Sequence, residues 1–297
     1  MIDWSRLTIA IVGGDEREQE IARLANLTGA AVRGHGFPWL AGVNGTAPTP
    51  SAEEAMRDAN YAVLPVPRGI DGNLYAPLAP QHIPVRSELF APLRVGAHVF
   101  CGRITKTLAG ATRGLPLTMH EIDPDRELML LRAPAIVEGA IQLAIQHTDV
   151  TIHGAQVAVV GFGTIGSLLA RRLLTLGAEV HVAARNPIQR AAARADGART
   201  LILSQLPELA LHLDMVFSTV PARVVDRGVL ERLPTGSLVL DIAPPPDRSD
   251  LDEAERLGHR AVWARGLGRR APITVGASQW MGLSRRIEAI ESGAGTQ

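Results

Sequence analysis

The sequence predicts an α/β protein of two Rossmann-like lobes, the second a doubly wound parallel sheet, joined by crossing helices. Apolar strand-like runs alternate with helical segments along all 297 residues. That alternation sets strands side by side in parallel with helices on both faces. Near the middle, the run Val157 to Val160 leads straight into Gly161-x-Gly163-x-x-Gly166. An amphipathic segment follows (Leu168, Leu169, Leu173, Leu174, Leu176), closed by Gly177. A chain of this length holds two domains, each with its own core.

In residues 1–130, Leu7 to Val12 is an apolar strand ending in Gly13-Gly14-Asp15, and Arg17 to Leu27 repeats apolar residues near helical spacing. Ala31-Val32 makes a poor second strand, and the Gly- and Pro-rich stretch Gly34 to Pro50 reads as a loop. Glu53 to Asp58 is a short helix, and Tyr61 to Val66 is a strand interrupted by Pro65 and Pro67. Asp71 to Pro84 is too rich in proline and glycine for regular structure, while Val95 to Phe100 and Leu115 to His120 read as further strands. This lobe therefore reads as an incomplete α/β domain.

Residues 131–150 form a crossing helix, with Ile136, Val137, Ala140, Ile141, Ala144 and Ile145 on one face and Pro134 where a helix can begin. Residues 151–270 then run as strands at 156–160, 179–183, 200–203, 214–220, 237–242 and 260–264. Helices fill the gaps at 164–176, 187–196, 205–211, 222–232 and 250–257. Residues 271–297 hold a last helix, with Met281, Leu283, Ile287 and Ile290, that packs back across the junction. Such lobes leave a cleft at the carboxyl ends of their strands, where ligands bind.

Thirty basic and thirty acidic residues balance, so no global field attracts nucleic acid or an acidic membrane surface. Lys106 is the only lysine. The single cysteine, Cys101, excludes an internal disulfide and suits a reducing cytosol; its apolar surroundings predict a buried, inert thiol. A strand pattern within the first ten residues leaves no room for a signal peptide. No uncharged apolar run approaches the ~18 residues of a spanning helix. The expectation is a soluble cytoplasmic protein with no membrane or nucleic-acid partner. Histidines 35, 82, 98, 120, 147, 153, 181, 212 and 259 show no metal-ligand spacing, so no metal is expected. Nor is there a nucleophile elbow, a P-loop or an HExxH.

Gly161-Phe162-Gly163-Thr164-Ile165-Gly166 is the chemically informative stretch. In a dinucleotide-binding unit the first glycine makes the tight turn, the second lets the pyrophosphate approach, and the third packs helix on strand. The helix N-terminus offers N–H groups and a partial positive charge to the phosphates. NAD-specific units carry a carboxylate at the end of the next strand for the ribose 2′-hydroxyl. Here that strand ends in Ala183-Ala184-Arg185-Asn186, and Arg190 and Arg194 follow. A missing acid with Arg185 in its place favours NADP over NAD.

Thr219-Val220-Pro221 ends a strand and starts a helix beside the nicotinamide ribose, either as a ribose donor or as a helix cap. Asp241, before Ala243-Pro244-Pro245-Pro246, is a polar group near the nicotinamide or a turn aspartate. Glu138 on the crossing helix is a further catalytic candidate, with a solvent-facing glutamate as the alternative. With no acid–base or nucleophile constellation, hydride transfer carried by the cofactor fits best.

Several segments together resemble the dipicolinate synthase A subunit, the NADP-binding subunit of that enzyme. They are Ala144 to Asp149, Thr151 to Gly154, Val12-Gly13-Gly14-Asp15 with Arg17, Leu64-Pro65-Val66, Phe100 with Gly102, and Pro134 with Val137-Glu138-Gly139. Thr219-Val220-Pro221, Leu240-Asp241 with Ala243, Gly266-Leu267 and Ala271-Pro272 extend the likeness along the chain. Thr164, Leu131 and Ile273 depart from the family's usual arginine, asparagine and lysine, and the loop at 243–247 is richer in proline.

The resemblance implies an NADP-dependent subunit in the mother-cell cytoplasm of a spore former. Its implied partner is the enzyme's flavoprotein B subunit, which carries the flavin. The implied substrate is a hydroxylated tetrahydrodipicolinate or its dihydro form, oxidised to pyridine-2,6-dicarboxylate. A small dicarboxylate requires cations, and Arg17, Arg68 and Arg103 each follow a first-lobe strand. A homo- or hetero-oligomer is expected. The alternatives are a stand-alone NAD(P) hydroxyacid or amino-acid dehydrogenase and a non-catalytic nucleotide-sensing subunit.

Overall fold

The structure is a computed structural model that describes residues 2–37, 46–67, 69–243 and 249–293. The chain divides into two compact units, Met1–Arg132 with Ala271–Gln297, and Ala133–Arg270.

The first unit runs β1 (Thr8–Val12), α1 (Glu16–Leu27), β2 (Ala31–His35), β3 (Thr46–Pro48), α2 (Ala52–Met56), β4 (Tyr61–Val63), α3 (Ser87–Phe90), β5 (Ala97–Cys101), α4 (Lys106–Ala111) and β6 (Leu117–Glu121). All pairings are parallel, in the order β3-β2-β1-β4-β5-β6. β1 is buried on both faces, which is why it reads as an unbroken apolar run. Ile9, Ile11, Tyr61 and Phe100 face one core, and Ala10, Val12, Leu64 and Val99 the other, the period-2 alternation of a strand.

This unit is complete, contrary to the sequence expectation. β2 continues through Arg33-Gly34-His35 into the predicted loop, and β3 pairs with it from Val32↔Thr46 to Gly34↔Pro48. An edge strand tolerates Pro48 because it lacks a neighbour on one side. α3 and α4 were not predicted either, and β4 stops at Val63, before the prolines. Residues 71–84 are irregular as expected, apart from one bridge, Asn73↔Pro84.

α5 (Arg126–Gln146) starts eight residues before Pro134, so this proline lies inside the helix and not at its beginning. Asp125 Oδ1 accepts the Leu128 N–H at 3.1 Å at its start. Pro134 brings no N–H to the helix ladder, but it lies on an exposed side. Arg132 and Glu138 break the apolar run, yet α5 is long and apolar enough to cross a membrane by length and composition alone. Its Val137, Ala140 and Ala144 belong to the second unit's core and its Leu128 to the first's.

The second unit contains β7 (Gln156–Val160), α6 (Thr164–Thr175), β8 (Glu179–Ala183), α7 (Pro187–Ala195), β9 (Arg199–Leu201), α8 (Leu206–Leu209), β10 (Met215–Ser218), α9 (Arg227–Leu230), β11 (Leu238–Asp241), α10 (Leu251–Arg256) and β12 (Arg260–Trp263). Its sheet is also all parallel, in the order β12-β11-β10-β7-β8-β9. The predicted helix at 222–232 shrinks to α9, capped by Asp226, so Thr219-Val220-Pro221 opens a loop and not a helix. α11 (Pro272–Glu291) returns to the first unit. A Cβ on its Gly276 would lie 2.6 Å from the Arg17 carbonyl oxygen, so only glycine allows this approach to α1.

Candidate cofactor site

The strand order of the second sheet reverses between β7 and β10, and ligands of open α/β sheets bind at that point, beyond the strands' carboxyl ends. The Gly161-Phe162-Gly163 turn lies there. Gly161 has φ +97°, and a Cβ on it would fall 2.6 Å from both Thr219 Oγ1 and Val220 Cγ1. At Gly166 a Cβ would meet the Gly161 carbonyl oxygen at 2.3 Å. Protein atoms therefore require glycine at both positions.

Gly163 is different. Its φ is an ordinary −82°, and a Cβ there would meet no atom within 4 Å. It is the N-cap of α6, and no side chain accepts from the helix's first N–H groups. Those groups and the positive end of the helix are thus left for an anionic ligand. Phe162 is buried in the core, and Thr164 and Ile165 are half-buried in the first turn.

Thr219 is neither cap nor free donor, because its hydroxyl donates to the Val160 carbonyl at 2.9 Å and ties β10 to β7. With Val220 it walls the turn beside Gly161. Ser218, just before it, has a buried hydroxyl without a hydrogen-bond partner among the described residues.

At the end of β8, Ala184 is buried and Arg185 is exposed, its guanidinium making no hydrogen bond or ion pair among the described residues. Asn186 caps α7 by accepting from Ile188 N–H at 2.8 Å. Arg190 Nη1 donates to the Ala184 and Arg185 carbonyls, both at 2.8 Å. Of these two guanidinium groups, Arg190 is committed to the turn and Arg185 stays available, with no carboxylate in the turn beside it.

The other candidates are placed as follows. Asp241 is fully buried, and its two oxygens accept from Ala243 N–H and Ser249 N–H, both at 2.7 Å. That is the turn role, holding the ends of the proline loop; residues 244–248 lie outside the described residues. Glu138 is exposed and pairs with Arg270. Arg68 also lies outside the described residues.

In the first unit, Arg17 does not point outward. It is buried and forks onto Asp15, Nε to Oδ1 at 2.8 Å and Nη2 to Oδ2 at 2.7 Å. Tyr75 donates to Asp15 Oδ2 at 3.1 Å. Burial opposes ionisation of Asp15, but hydrogen bonding and charge from Arg17 outweigh it and lower the carboxyl below its ordinary value. Glu18 is fully buried; its desolvation exceeds the pull of Arg17, so its carboxyl is pushed up to about 7. The sequence signal for this arrangement was the Asp15-x-x-Glu18 spacing of a capping box, which α1 forms.

Arg103 is half exposed and reaches Asp123 only at 3.4 Å, while Asp123 is held by Arg132 at 2.6 Å. It lines a pocket of about 120 Å³ at the carboxyl ends of β4 and β5. Cys101 is buried, and burial pushes its thiol up to about 12, as expected of an inert cysteine. Among the described residues no group of acids, histidines or cysteine is arranged to hold a metal.

Comparison with known proteins agrees with this geometry. The family model for the N-terminal domain of the dipicolinate synthase A subunit matches residues 8–122. That for the coenzyme F420-dependent NADP oxidoreductases matches residues 156–245. The dipicolinate synthase A subunit of Bacillus subtilis (strain 168) is 30% identical over 292 residues, 97% of this chain and 98% of that protein. The chain belongs to the dipicolinate synthase A subunit family.

Solved structures from this family are similar throughout. That of the A subunit from Bacillus halodurans has a TM-score of 0.88 at 28% identity, covering 96% of this chain and 98% of that one. Its counterpart from Bacillus subtilis has a TM-score of 0.85 at 29% identity, covering 97% of each chain. Like its family, the chain is an NAD(P)-dependent oxidoreductase subunit, and its second unit takes a nicotinamide nucleotide. The open face at Gly163 and the uncapped α6 fit the pyrophosphate of that group.

Proposed function

We propose that the chain is the NADP-dependent subunit of an enzyme that forms pyridine-2,6-dicarboxylate, working with a flavoprotein partner in the mother-cell cytoplasm during sporulation. The observation that carries this reading is the bare, glycine-lined N-terminus of α6 beside an available Arg185, in a chain of this family over its whole length. Arg185 supplies a planar fork for a 2′-phosphate where an NAD-specific unit would place a carboxylate.

The substrate is a hydroxylated tetrahydrodipicolinate or its dihydro form. Loss of water from the hydroxylated ring gives the dihydro form, and loss of a hydride and a proton from that gives the aromatic pyridine. When bound, the nicotinamide supplies the hydride acceptor. Gly161, Gly163 and the N-terminus of α6 would hold the pyrophosphate, and Thr219 and Val220 would wall the turn beside it. Aromatisation is strongly downhill, so the chain's part is chiefly orientation of the ring.

The test is to purify the chain alone and with the co-expressed flavoprotein, then follow pyridine absorbance with NADP and NAD. NADP is expected to be preferred, and the partner to raise turnover by orders of magnitude. Full activity of the isolated chain on a hydroxyacid or amino acid would favour a stand-alone dehydrogenase. Tight NADP binding without activity in either preparation would favour a sensing role.

A further inference from the structure

The first unit repeats the strand order of the second, with the order reversing between β1 and β4 as it does between β7 and β10. The turn after β1 therefore corresponds to the glycine turn after β7. Gly13 stands where Gly161 stands, and Asp15, the N-cap of α1, where Gly163, the N-cap of α6, stands. Glu18 then takes the place of Gly166. The side chains at these two places fill the first unit's phosphate position. Asp15 accepts from Arg17 N–H at 3.1 Å, and Glu18 accepts from Asp15 N–H at 2.7 Å. The Glu18 carboxyl lies against Gly14, within 2.3 Å of where a Cβ would be. Two carboxyl groups thus sit where a nucleotide would put its phosphates.

An open concavity of this unit lies one strand over, beyond β4 and β5. Its floor is apolar, with Leu64, Val66 and Leu108, and Arg103, Thr105 and Thr107 stand at its side. Among the described residues it is lined by one cationic side chain and no carboxylate. Thr105 Oγ1 accepts from Leu108 N–H at 3.2 Å, which leaves its own proton to donate outward. The volume, about 120 Å³, suits a single ring and is well below the ≈ 300–1,000 Å³ of sites that hold larger ligands.

From this we infer that the first unit is a nucleotide-type fold closed to nucleotides, whose β4–β5 pocket binds a small ring carboxylate through Arg103. The identity of the ring rests on the function proposed above; the closure of the phosphate position and the placement of the pocket do not.

The experiment is calorimetry on the full chain with pyridine-2,6-dicarboxylate and, separately, with NADP. Arg103→Ala removes the cation, and Thr107→Trp fills the pocket from an exposed position where a large side chain does not disturb the core. Each is expected to weaken dicarboxylate binding about tenfold or more, the effect of one charge-assisted contact or of lost space, with NADP binding unchanged. Arg103→Lys, which keeps the charge, is expected to retain part of the affinity. Wild-type affinity for the dicarboxylate in both variants would overturn the inference, as would no dicarboxylate binding by the wild-type chain. A loss of NADP binding in Thr107→Trp would overturn it too, by showing a nucleotide in the first unit. Failure of the proposed function is read elsewhere, from cofactor preference and partner-dependent turnover.

Discussion

Arg190 fastens the turn that carries Arg185, donating from one nitrogen to the carbonyl oxygens of Ala184 and Arg185 at 2.8 Å each. Of the two arginines, one shapes the turn and the other is left to meet a ligand. Arg185→Ala should weaken NADP by the roughly 1.5–3 kcal/mol of a charge-assisted contact and leave NAD unchanged. Arg190→Ala should lower stability by roughly 1 kcal/mol through its lost hydrogen bonds and weaken both cofactors by a similar factor. Titrating the three proteins with both cofactors checks this. Equal affinity of the wild type for NADP and NAD would sink it.

The three glycines of the turn should behave differently on substitution. Gly163→Val keeps the fold, since its backbone is ordinary and its side chain enters open space, but it blocks the pyrophosphate and abolishes cofactor binding. Gly161→Ala and Gly166→Ala should instead lose stability, because their new carbons would meet Thr219, Val220 and the Gly161 carbonyl. Thermal melts alongside cofactor titration separate the cases. A folded Gly163→Val that binds at wild-type strength would make the turn merely structural.

The contrast between these glycines also shows what the sequence could reveal. The glycine spacing was legible because turn, pyrophosphate and helix fix it locally, whatever surrounds them. β3 was hidden because an edge strand carries no apolar run, and the end of β2, Arg33-Gly34-His35, because it is held by its neighbours β1 and β3 and not by an apolar pattern of its own. Pro134 misled because proline suits a helix start, whereas here it sits on an exposed side of α5. Of the β4–β5 pocket only Arg103 was legible, as a cation after a strand; the rest of the lining is drawn together by sheet pairing from distant segments.

Arg17 and Arg103, alike in the sequence, should part company in experiment. Removing Arg17 leaves the Asp15 carboxylate buried without its counter-charge, which costs roughly 3–5 kcal/mol. Arg17→Ala should therefore lower Tm strongly, while Arg103→Ala leaves it almost unchanged. A stable, fully folded Arg17→Ala with only a raised KM would contradict the buried pairing.

Glu18 gives the stability of the chain a pH dependence. Its folded value of about 7 lies above its ordinary 4.5, so between these values the folded chain holds a proton that the unfolded chain has released. Its contribution is most favourable below about pH 4.5 and declines as pH rises towards 7. Glu18→Gln keeps the acceptor for Asp15 N–H and does not ionise. Relative to this variant, the wild type should lose on the order of 1–3 kcal/mol across that window. Parallel stability curves for the two proteins would show that Glu18 does not titrate there.

NADP-dependent formation of an aromatic ring dicarboxylate by this chain is tested most directly in a reconstituted mixture. The chain and the proposed flavoprotein partner are combined with the hydroxylated tetrahydrodipicolinate, and pyridine absorbance is recorded with and without NADP. Absorbance should grow only when this chain is present, grow faster with NADP than with NAD, and fail to grow with Gly163→Val. Growth at the same rate without the chain, or with Gly163→Val in its place, would show that the chain does not deliver the reaction.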